Sequence, residues 1–187
     1  MMTRPNIRRP RLISEIAETA ILILLVYTLV NLATVRFYIE GPSMQPSFYA
    51  EQYLIVSRVH YLFGEPQRGD IVVFDPPGDD DRPNDPLLIK RLIGLPGDRI
   101  EIRDQQLYVN GEPADTSFTA EPCDASHCRD ASWELGPNEY FLMGDNRNNS
   151  RDSRVFGAVT RDRLVGEAIV RYWPLTELGI GTRYRFP

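Results

Sequence analysis

The chain has 187 residues, of which 42% are hydrophobic, 26 are acidic and 21 are basic, giving a net charge of -5. This length fits one compact domain with a small added lobe, and the negative balance argues against a nucleic-acid partner, which needs a basic face. Two cysteines and two histidines are too few for a disulfide-rich miniprotein or a four-cysteine zinc site. Twenty of the basic residues are arginines, and the single lysine is Lys90.

The N-terminal part of the chain is basic and then strongly apolar. Residues 1–14 contain no acid and four arginines: Arg4, Arg8, Arg9 and Arg11. Residues 19–35 carry no charge, and extension back to residue 16 gives about 30 Å of helix, enough to cross a bilayer core. We therefore predict a cytoplasmic tail over residues 1–15 and a transmembrane anchor over 16–35, because positive charge favours the cytoplasmic side.

Two other interpretations of the apolar segment stay open. A cleaved secretory signal also combines a basic and an apolar region, although residues 32–36 contain no clear small-x-small cleavage site. A buried core helix is the second alternative, although residues 21–26 are apolar on every helical face. With an anchor, residues 36–187 form an extracytoplasmic domain, and from residue 37 onward 24 acids stand against 16 bases.

A serine lies between glycine and proline residues shortly after the anchor. Residues 41–47 read Gly-Pro-Ser-Met-Gln-Pro-Ser, and this composition favours a fixed, non-helical backbone that presents the Ser43 hydroxyl outward. Ser43 lies eight residues beyond residue 35, at most about 26–29 Å from the end of the anchor. A nucleophile there would act close to a membrane, although an ordinary turn serine fits the same pattern.

The rest of the chain alternates short β-like runs with turn residues. The predicted strands are 53–59, 70–74, 87–93, 99–103, 106–109, 139–143 and 168–173. Asn110-Gly111 is typical of a hairpin turn. No segment beyond the anchor keeps a helical period for long, so we predict a mainly β fold. It consists of an antiparallel β domain with a smaller β-ribbon lobe over about 99–143.

The lone lysine is the best candidate for a base that activates Ser43, since a free serine hydroxyl is too weak an acid to attack unaided. Strand alternation places Lys90 on the same face as Leu88 and Leu92. Apolar surroundings lower the pKa of a lysine, and a neutral amine can take the serine proton, whereas an arginine cannot. The alternative is a surface lysine whose aliphatic chain lies along apolar residues while its amine stays in water.

Two long loops separate the strands, over residues 75–86 and 115–132. The first carries the acidic run 79–81, which lacks the spacing of a calcium loop. The second contains Cys123 and Cys128, and outside the cytoplasm a disulfide is the simplest prediction for this pair. A zinc site with His60 and His127 is a formal alternative, but we expect no metal and no other cofactor.

Four segments of the chain together resemble the bacterial type I signal peptidases, and the resemblance covers nearly the whole sequence. The first, 43–47, is similar to the nucleophile box of that family, and 68–74 is similar to its structural strand. The third, 90–98, is similar to the general-base box, and 144–157 resembles the last box. Each segment alone could arise by chance, but their order behind a single anchor is a specific signal.

The resemblance implies a membrane-bound serine endopeptidase with Ser43 as nucleophile and Lys90 as general base. It implies that Ser150 orients the lysine amine and that Gly144 leaves room for the lysine side chain. Asp145 would support the site, and Asp152 would pair with Arg154. Some family members carry a hydroxyl residue where this chain has Gly41, so here the oxyanion hole would depend mainly on the backbone N–H of Ser43.

The resemblance also implies the substrate and the location. Exported preproteins, with small residues at the -3 and -1 positions, would add as a strand beside the lysine strand. The partners implied are signal peptides, the lipid bilayer and the secretion translocon, in the inner (plasma) membrane or a thylakoid membrane. The pocket candidates are Met44, Ile71, Val73, Leu88 and Ile89. Five aromatic residues near the anchor belong either to the bilayer interface or to the core: Phe37, Tyr38, Phe48, Tyr49 and Trp173.

Two other functions stay open on the sequence alone. A self-cleaving repressor shares a Ser/Lys dyad and a similar serine box, but it would have a DNA-binding N-terminus in place of the apolar segment. A catalytically inactive, membrane-tethered β domain that only binds exported chains would look similar outside the four boxes.

Overall fold

The computed structural model describes residues 10–78 and 86–180. The acidic run 79–81 and most of the predicted basic tail lie outside the described residues. The chain begins with helix α1, Pro10–Ala33. Its segment Leu12–Ala33 has a mean hydropathy of 2.0 and is not buried against the rest of the protein. By length and composition this helix can cross a membrane. It ends two residues before the predicted end of the anchor, because Thr34 begins a strand.

The remaining elements are mostly short antiparallel strands. In chain order these are β1 Thr34–Tyr38, β2 Tyr53–Ser57, β3 Ile71–Phe74, β4 Leu88–Gly94, β5 Arg99–Arg103, β6 Gln106–Val109, β7 Glu112–Pro113, β8 Ala131–Glu134, β9 Glu139–Met143, β10 Val159–Thr160, β11 Leu164–Trp173 and β12 Gly179–Ile180. Two short helices, α2 Val59–Phe63 and α3 Ser153–Phe156, lie between them. The predicted mainly β fold behind an apolar helix is confirmed.

The strands form two sheets. The larger sheet has the order β1-β2-β11-β3-β4-β9-β10, with β12 paired to β11, and the smaller has the order β7-β6-β5-β8. The predicted Asn-Gly hairpin joins β6 to β7, and both turn residues have positive φ, 54° at Asn110 and 86° at Gly111, as this turn requires. The predicted second lobe extended too far, because the apolar β9 pairs with β4 in the larger sheet.

Strand β4 lies deep in the larger sheet, between β3 and β9. Six of its seven residues are buried, because the strand is covered on both faces. One face packs into a core cluster that contains Ile39, Met44 and Ile89, and the other packs with Leu92 and Leu142. The only lysine of the chain therefore lies on one of the most enclosed strands in the described part of the protein.

Candidate active site

Ser43 lies in the loop that connects β1 to β2. Hydrogen bonds close the base of this loop, from Ile39 N to Gln52 O at 3.0 Å and from Glu51 N to Ile39 O at 2.9 Å. Met44 and Phe48 insert their side chains into the core beneath the loop. These contacts fix the backbone on both sides of Ser43, whose own side chain stays half-buried.

The Lys90 side chain reaches this serine from the middle of β4. Lys90 pairs with Val72 of β3, and only 2% of the residue is exposed. Its Nζ atom lies 2.7 Å from Ser43 Oγ, and the amine also donates a hydrogen bond to Ile89 O at 2.8 Å. The structure thus brings together the two residues that the sequence singled out, 47 positions apart in the chain.

The surroundings of Lys90 make its amine easier to deprotonate. Burial lowers the pKa of Lys90 from 10.5 to about 8, although the negative charges of Asp152 and Asp145 act in the opposite direction. A pKa of about 8 leaves an appreciable fraction of the amine neutral near pH 7. A neutral amine beside a serine hydroxyl is the pairing that a serine needs to become a nucleophile.

Ser150 and Gly144 pack against the loop between β1 and β2, called the nucleophile loop below after the role that the resemblance implies for Ser43. Their arrangement differs from the one expected. Ser150 Oγ is buried and makes no hydrogen bond of normal geometry within residues 10–78 and 86–180, although it helps to stabilise the charged form of Asp152. The lysine amine donates to Ile89 O instead of to Ser150. A side chain at Gly144 would collide with Ser150 Oγ and with Ser43 O, so this glycine allows the close approach of the two serines.

Asp152 and Arg154 form the expected ion pair. Arg154 Nε and Nη2 each lie 2.8 Å from a carboxylate oxygen of Asp152, and Asp152 also accepts a hydrogen bond from Gly144 N at 2.9 Å. Burial alone would raise the pKa of Asp152, but these bonds and the charge of Arg154 lower it overall. The carboxylate therefore stays charged and anchors Gly144, which contacts the nucleophile loop.

A second buried ion pair supports the nucleophile loop from the other side. Arg91 donates to Asp145 from Nε at 2.8 Å and from Nη2 at 2.6 Å, and the Ser47 hydroxyl donates to the same carboxylate at 2.5 Å. Asp145 was expected to support the site, but its partners Arg91 and Ser47 were not foreseen. Ser47 lies in the serine box and Arg91 follows Lys90, so their position within the boxes was the available signal.

Asn146 is a further supporting residue that sequence reasoning missed. Its backbone N–H donates to Ser43 O at 3.0 Å, and its side-chain amide donates to Pro42 O at 3.3 Å. The segment after β9 is therefore tied directly to the backbone of Ser43. The asparagine lies within the last box, but its type alone does not indicate which backbone group it binds.

A cleft of about 370 Å³ opens beside Ser43 and Lys90. Residues of β1 and the loop after it form one wall, and residues 86–90 form the other. Of the five pocket candidates, Leu88 and Ile89 line this cleft. Met44, Ile71 and Val73 are not among its lining residues, and all three pack in the core cluster that also contains Ile89. Phe37 and Ile39 line it instead, a contribution of β1 that was not foreseen.

The two cysteines are joined as a disulfide in the loop that covers Arg154. Arg154 Nη1 contacts both sulfur atoms, at 3.5 Å and 3.4 Å, and donates to His127 O at 3.2 Å. The Cys123–Cys128 loop is thereby connected through Arg154 to Asp152. Within the described ranges, no group of three or more His, Cys, Asp and Glu side chains is arranged to hold a metal ion.

The aromatic residues near the anchor divide between core and surface. Phe48 is buried in the core, and Phe37 packs against the same cluster. Tyr38, Tyr49 and Trp173 are between 42% and 50% exposed. The five aromatic residues are therefore neither all in the core nor all at the surface.

Comparisons with known proteins place the chain in a family. Residues 12–173 match the family model described as signal peptidase, peptidase S26. The chain is 38% identical over 151 residues to a probable signal peptidase I-2 of Synechocystis, covering 78% of this chain and 66% of that protein. It is 28% identical over 184 residues to signal peptidase IB of Staphylococcus aureus, covering 90% and 93% of the two chains.

A solved signal peptidase I from Enterococcus faecalis is 32% identical, with a TM-score of 0.45, covering 55% of this chain and 96% of that chain. The family match spans the described residues from α1 to the end of β11. It includes both walls of the cleft and every residue of the two ion pairs. The chain belongs to the peptidase S26 family of signal peptidases.

Proposed function

We propose that the chain is a membrane-anchored endopeptidase that removes signal peptides from exported preproteins, with Ser43 as nucleophile and neutral Lys90 as general base. The observation that carries this proposal is the 2.7 Å separation between Lys90 Nζ and Ser43 Oγ on a strand where the lysine is buried. The family match supports the removal of signal peptides as the reaction.

The first half of the reaction forms an acyl-enzyme. The Ser43 hydroxyl transfers its proton to the lone pair of Lys90 Nζ while Oγ attacks the scissile carbonyl carbon. The Ile89 carbonyl accepts one N–H of the amine, which helps to direct the lone pair toward the serine. When the tetrahedral intermediate collapses, the protonated lysine gives its proton to the leaving amine of the mature protein.

The second half releases the signal peptide by the same proton transfers. Neutral Lys90 takes a proton from a water molecule as the water oxygen attacks the Ser43 ester. Collapse of this intermediate breaks the ester bond, and the lysine returns its proton to Ser43 Oγ. The free carboxyl group of the signal peptide then leaves, and the serine and lysine have returned to their starting states.

The oxyanion hole depends on the backbone of the nucleophile loop. We assign the Ser43 N–H as the main donor to the negatively charged oxygen. Gly41 supplies no side-chain donor, and a Cβ atom built at this position meets nothing within 4 Å. Asn146 holds the Ser43 and Pro42 carbonyls, and this fixes the peptide plane that carries the Ser43 N–H.

The preprotein has an open strand edge beside the lysine. Strand β4 pairs with β9 only from Arg91 onward, so residues 88–90 have no strand partner on that edge in the described part of the chain. An extended peptide can add there through main-chain hydrogen bonds. Leu88 and Ile89 on one wall and Ile39 on the other give the cleft apolar walls, against which small side chains at -3 and -1 would pack.

The apolar helix α1 would place this cleft at the membrane. It is continuous with β1, which forms one wall of the cleft. The cleavage point of a membrane-embedded signal peptide and the cleft would therefore lie on the same side of the bilayer. The arginines of residues 1–14 favour a cytoplasmic N-terminus and an extracytoplasmic peptidase domain.

Cleavage of a purified preprotein in detergent by Ser43→Ala, Lys90→Ala and Lys90→Arg variants tests the proposal. Each variant should lose at least about 10³-fold in kcat, because each removes one member of the nucleophile-base unit. Lys90→Arg keeps the charge but cannot lose the proton. Ser132→Ala and Arg129→Ala, at exposed positions, serve as matched controls and should retain wild-type rates.

The pH dependence of preprotein cleavage gives a second, independent test of the proposal. Because the neutral amine is the active form and the pKa of Lys90 is lowered to about 8, kcat/KM should rise about tenfold per pH unit below pH 7 and level off above pH 8. Wild-type cleavage by either alanine variant, or a flat profile between pH 5 and 7, would contradict the mechanism. Cleavage of the chain itself with no cleavage of the preprotein would favour the self-cleaving alternative.

A further inference from the structure

A second cavity, of about 840 Å³, opens between the end of helix α1 and the sheet that follows it. The helix contributes three lining residues that are three or four positions apart or adjacent and so share one face: Tyr27, Val30 and Asn31. Ile55 of β2 and Tyr172 of β11 also line the cavity. The space is therefore enclosed by the apolar helix and by the outer face of the larger sheet.

Arg36 directs its side chain toward this cavity. In the β1–β2 pair, Arg36 lies opposite Ile55, and the side chains of directly opposed residues lie on the same face of a sheet. Leu54 and Val56, on either side of Ile55, are fully buried on the other face. Arg36 thus shares its face with a residue that lines the cavity, and it is itself an exposed lining residue.

Arg58 brings a second positive charge to the same cavity. Its backbone N–H donates to the carbonyl of Ala33, the last residue of α1, at 2.9 Å, and the residue is exposed and lines the cavity. Neither Arg36 nor Arg58 forms an ion pair or a side-chain hydrogen bond within residues 10–78 and 86–180. None of the described lining residues is acidic, so the two accessible charges are uncompensated.

The proposed position of α1 in the membrane sets the depth of this cavity. The apolar segment Leu12–Ala33 has 22 residues, or about 33 Å of helix, which matches a hydrocarbon core of about 30 Å. Arg36 follows Ala33 by three residues of extended chain, at most about 10 Å, and the headgroup region adds about 5–8 Å on each side of the core. The two arginines can therefore reach the lipid phosphates, while Tyr27 and Val30 lie at the level of the acyl chains.

We propose that this cavity binds one membrane phospholipid with a negatively charged headgroup, whose phosphate lies between Arg36 and Arg58. Guanidinium groups offer several N–H donors to phosphate oxygens, and the acyl chains would lie along Tyr27 and Val30. A zwitterionic headgroup would bring a further positive charge to a cavity without an acidic residue, so a lipid with net negative charge is preferred. The proposal rests on the membrane placement of α1 in the proposed function, but not on the roles of Ser43 and Lys90.

A lipid in this cavity would connect the membrane helix with the peptidase domain. It would contact the last turns of α1, the start of β1 and the residue that precedes α2. Since β1 also forms one wall of the cleft beside Ser43, the bound lipid would help to fix the height of that cleft above the bilayer.

Native mass spectrometry of the full-length chain in a nonionic detergent tests this site, with phosphatidylglycerol and phosphatidylcholine of identical acyl chains as the probes. The first phosphatidylglycerol should bind with a Kd at least about tenfold below that of phosphatidylcholine, because two basic residues act on its negative charge. Arg58→Gln should raise the Kd for phosphatidylglycerol at least about fivefold and leave that for phosphatidylcholine nearly unchanged. Arg129→Gln, at an exposed arginine on the disulfide loop, makes the same change in net charge and should keep the wild-type Kd.

The double variant Arg36→Gln with Arg58→Gln should lose the preference for phosphatidylglycerol altogether. Arg36 also borders the cleft beside Ser43, so this variant is judged by lipid binding and not by activity. Both positions are exposed, and we expect the Tm in detergent with phosphatidylcholine to stay at the wild-type value. If the double variant fails to fold, Arg36→Lys with Arg58→Lys keeps both charges and should retain at least about a fivefold preference.

Glycerophosphoglycerol, the same headgroup without acyl chains, distinguishes a lipid from a soluble phosphate ester. It should displace little bound phosphatidylglycerol even at about a hundredfold excess, because it lacks the apolar part that contacts α1. Equal affinity for the headgroup alone and for the lipid would overturn the assignment to a membrane lipid.

Flotation of the wild-type chain with phosphatidylcholine liposomes separates a failure of this proposal from a failure of membrane anchoring. If the chain floats with the liposomes but binds both lipids with equal Kd, or if Arg58→Gln keeps the wild-type preference, the lipid site is wrong and the anchoring stands. If the chain does not float, the anchoring in the proposed function is wrong, and the lipid site is overturned with it.

Discussion

Lys90 differs from the other twenty basic residues in being able to lose its proton. An arginine stays charged at any pH that the protein survives, so arginine serves in the ion pairs with Asp145 and Asp152. A lysine beside Ser43 can be made neutral by burial. In the proposed mechanism, the arginine-rich composition thus separates two chemical tasks, permanent charge for structure and an ionisable amine for proton transfer.

Gly41 is a position where we expect a substitution to raise the catalytic rate. Open space surrounds the position of its absent side chain, and an oxyanion-hole donor is worth about 10²–10³ in rate where the geometry is optimal. We predict that Gly41→Ser raises kcat on a preprotein, by at least about threefold, with little change in KM. Gly41→Ala is the control, since it adds the carbon atom without the hydroxyl, and an equal gain in both variants would contradict a hydrogen-bonding role.

At the residue scale, the structure brings together the two residues of the proposed dyad, whereas several of their contacts were not foreseen. Ser43 and Lys90 carry chemical properties that can be read from residue type and neighbours. The acceptor for the lysine amine is a backbone carbonyl, that of Ile89, and backbone contacts have no sequence signature. Met44 packs in the core cluster, and residue type alone does not separate a core position from a pocket position.

Strand β4 positions two consecutive basic side chains for different purposes. Lys90 points to Ser43 and Arg91 points to Asp145, as the alternation of a strand requires. Asp145 in turn holds Ser47, which belongs to the same loop as Ser43. In the proposed mechanism, the strand supplies the base and also fixes the loop that carries the nucleophile.

Loss of the Arg91–Asp145 pair should destabilise the protein strongly. Both side chains are almost fully buried, so Asp145→Asn leaves an uncompensated guanidinium in the interior, which costs about 3–5 kcal/mol. Chemical denaturation in detergent measures this loss of unfolding free energy. Glu101→Gln is the matched control. Its partner Arg99 has a largely exposed side chain, so this ion pair should contribute at most about 1 kcal/mol to the free energy of unfolding.

The double variant Arg91→Met with Asp145→Leu tests the same ion pair by removing both charges. Replacing both charges by apolar side chains removes the unpaired group, so the double variant should be more stable than Asp145→Asn alone. A loss for Asp145→Asn no larger than that for Glu101→Gln would show that the buried pair does not stabilise the loop.

At the scale of elements, the strands with strong alternation were predicted closely. Strands β5, β6 and β9 occupy the predicted residues. Strand β1 was missed because it follows the apolar helix directly, and its first residues Thr34 and Val35 continue the uncharged run. Strand β8 was missed because Ala131-Ser132-Trp133-Glu134 has little strand character of its own, and its pairing with β5 decides its structure.

In the whole molecule, the cleft and the apolar helix meet through β1. Helix α1 ends at Ala33 and β1 starts at Thr34, so no linker residue separates the apolar helix from the strand that lines the cleft. Phe37 and Tyr38 of this strand line the cleft. A membrane-embedded substrate would thus meet the site at a depth set by the helix itself.

Deletion of residues 2–33 should therefore separate the two kinds of substrate. We predict a fall in kcat/KM of at least about tenfold on a preprotein in liposomes, because the anchor supplies a high effective concentration at the membrane. Cleavage of a short soluble peptide should change by less than about threefold. An equal loss on both substrates would indicate that the helix is needed for the structure of the site instead of for its location.

The neutral state of Lys90 is the central claim, and the composition of the chain allows it to be measured directly. Because Lys90 is the only lysine, lysine-selective isotope labelling gives a single side-chain NMR signal from the full-length protein in detergent micelles. The account predicts that this signal titrates with a pKa of about 8, below the usual 10.5, because burial disfavours the charged amine. A titration midpoint near 10.5 in the folded protein would contradict the assignment of Lys90 as the general base.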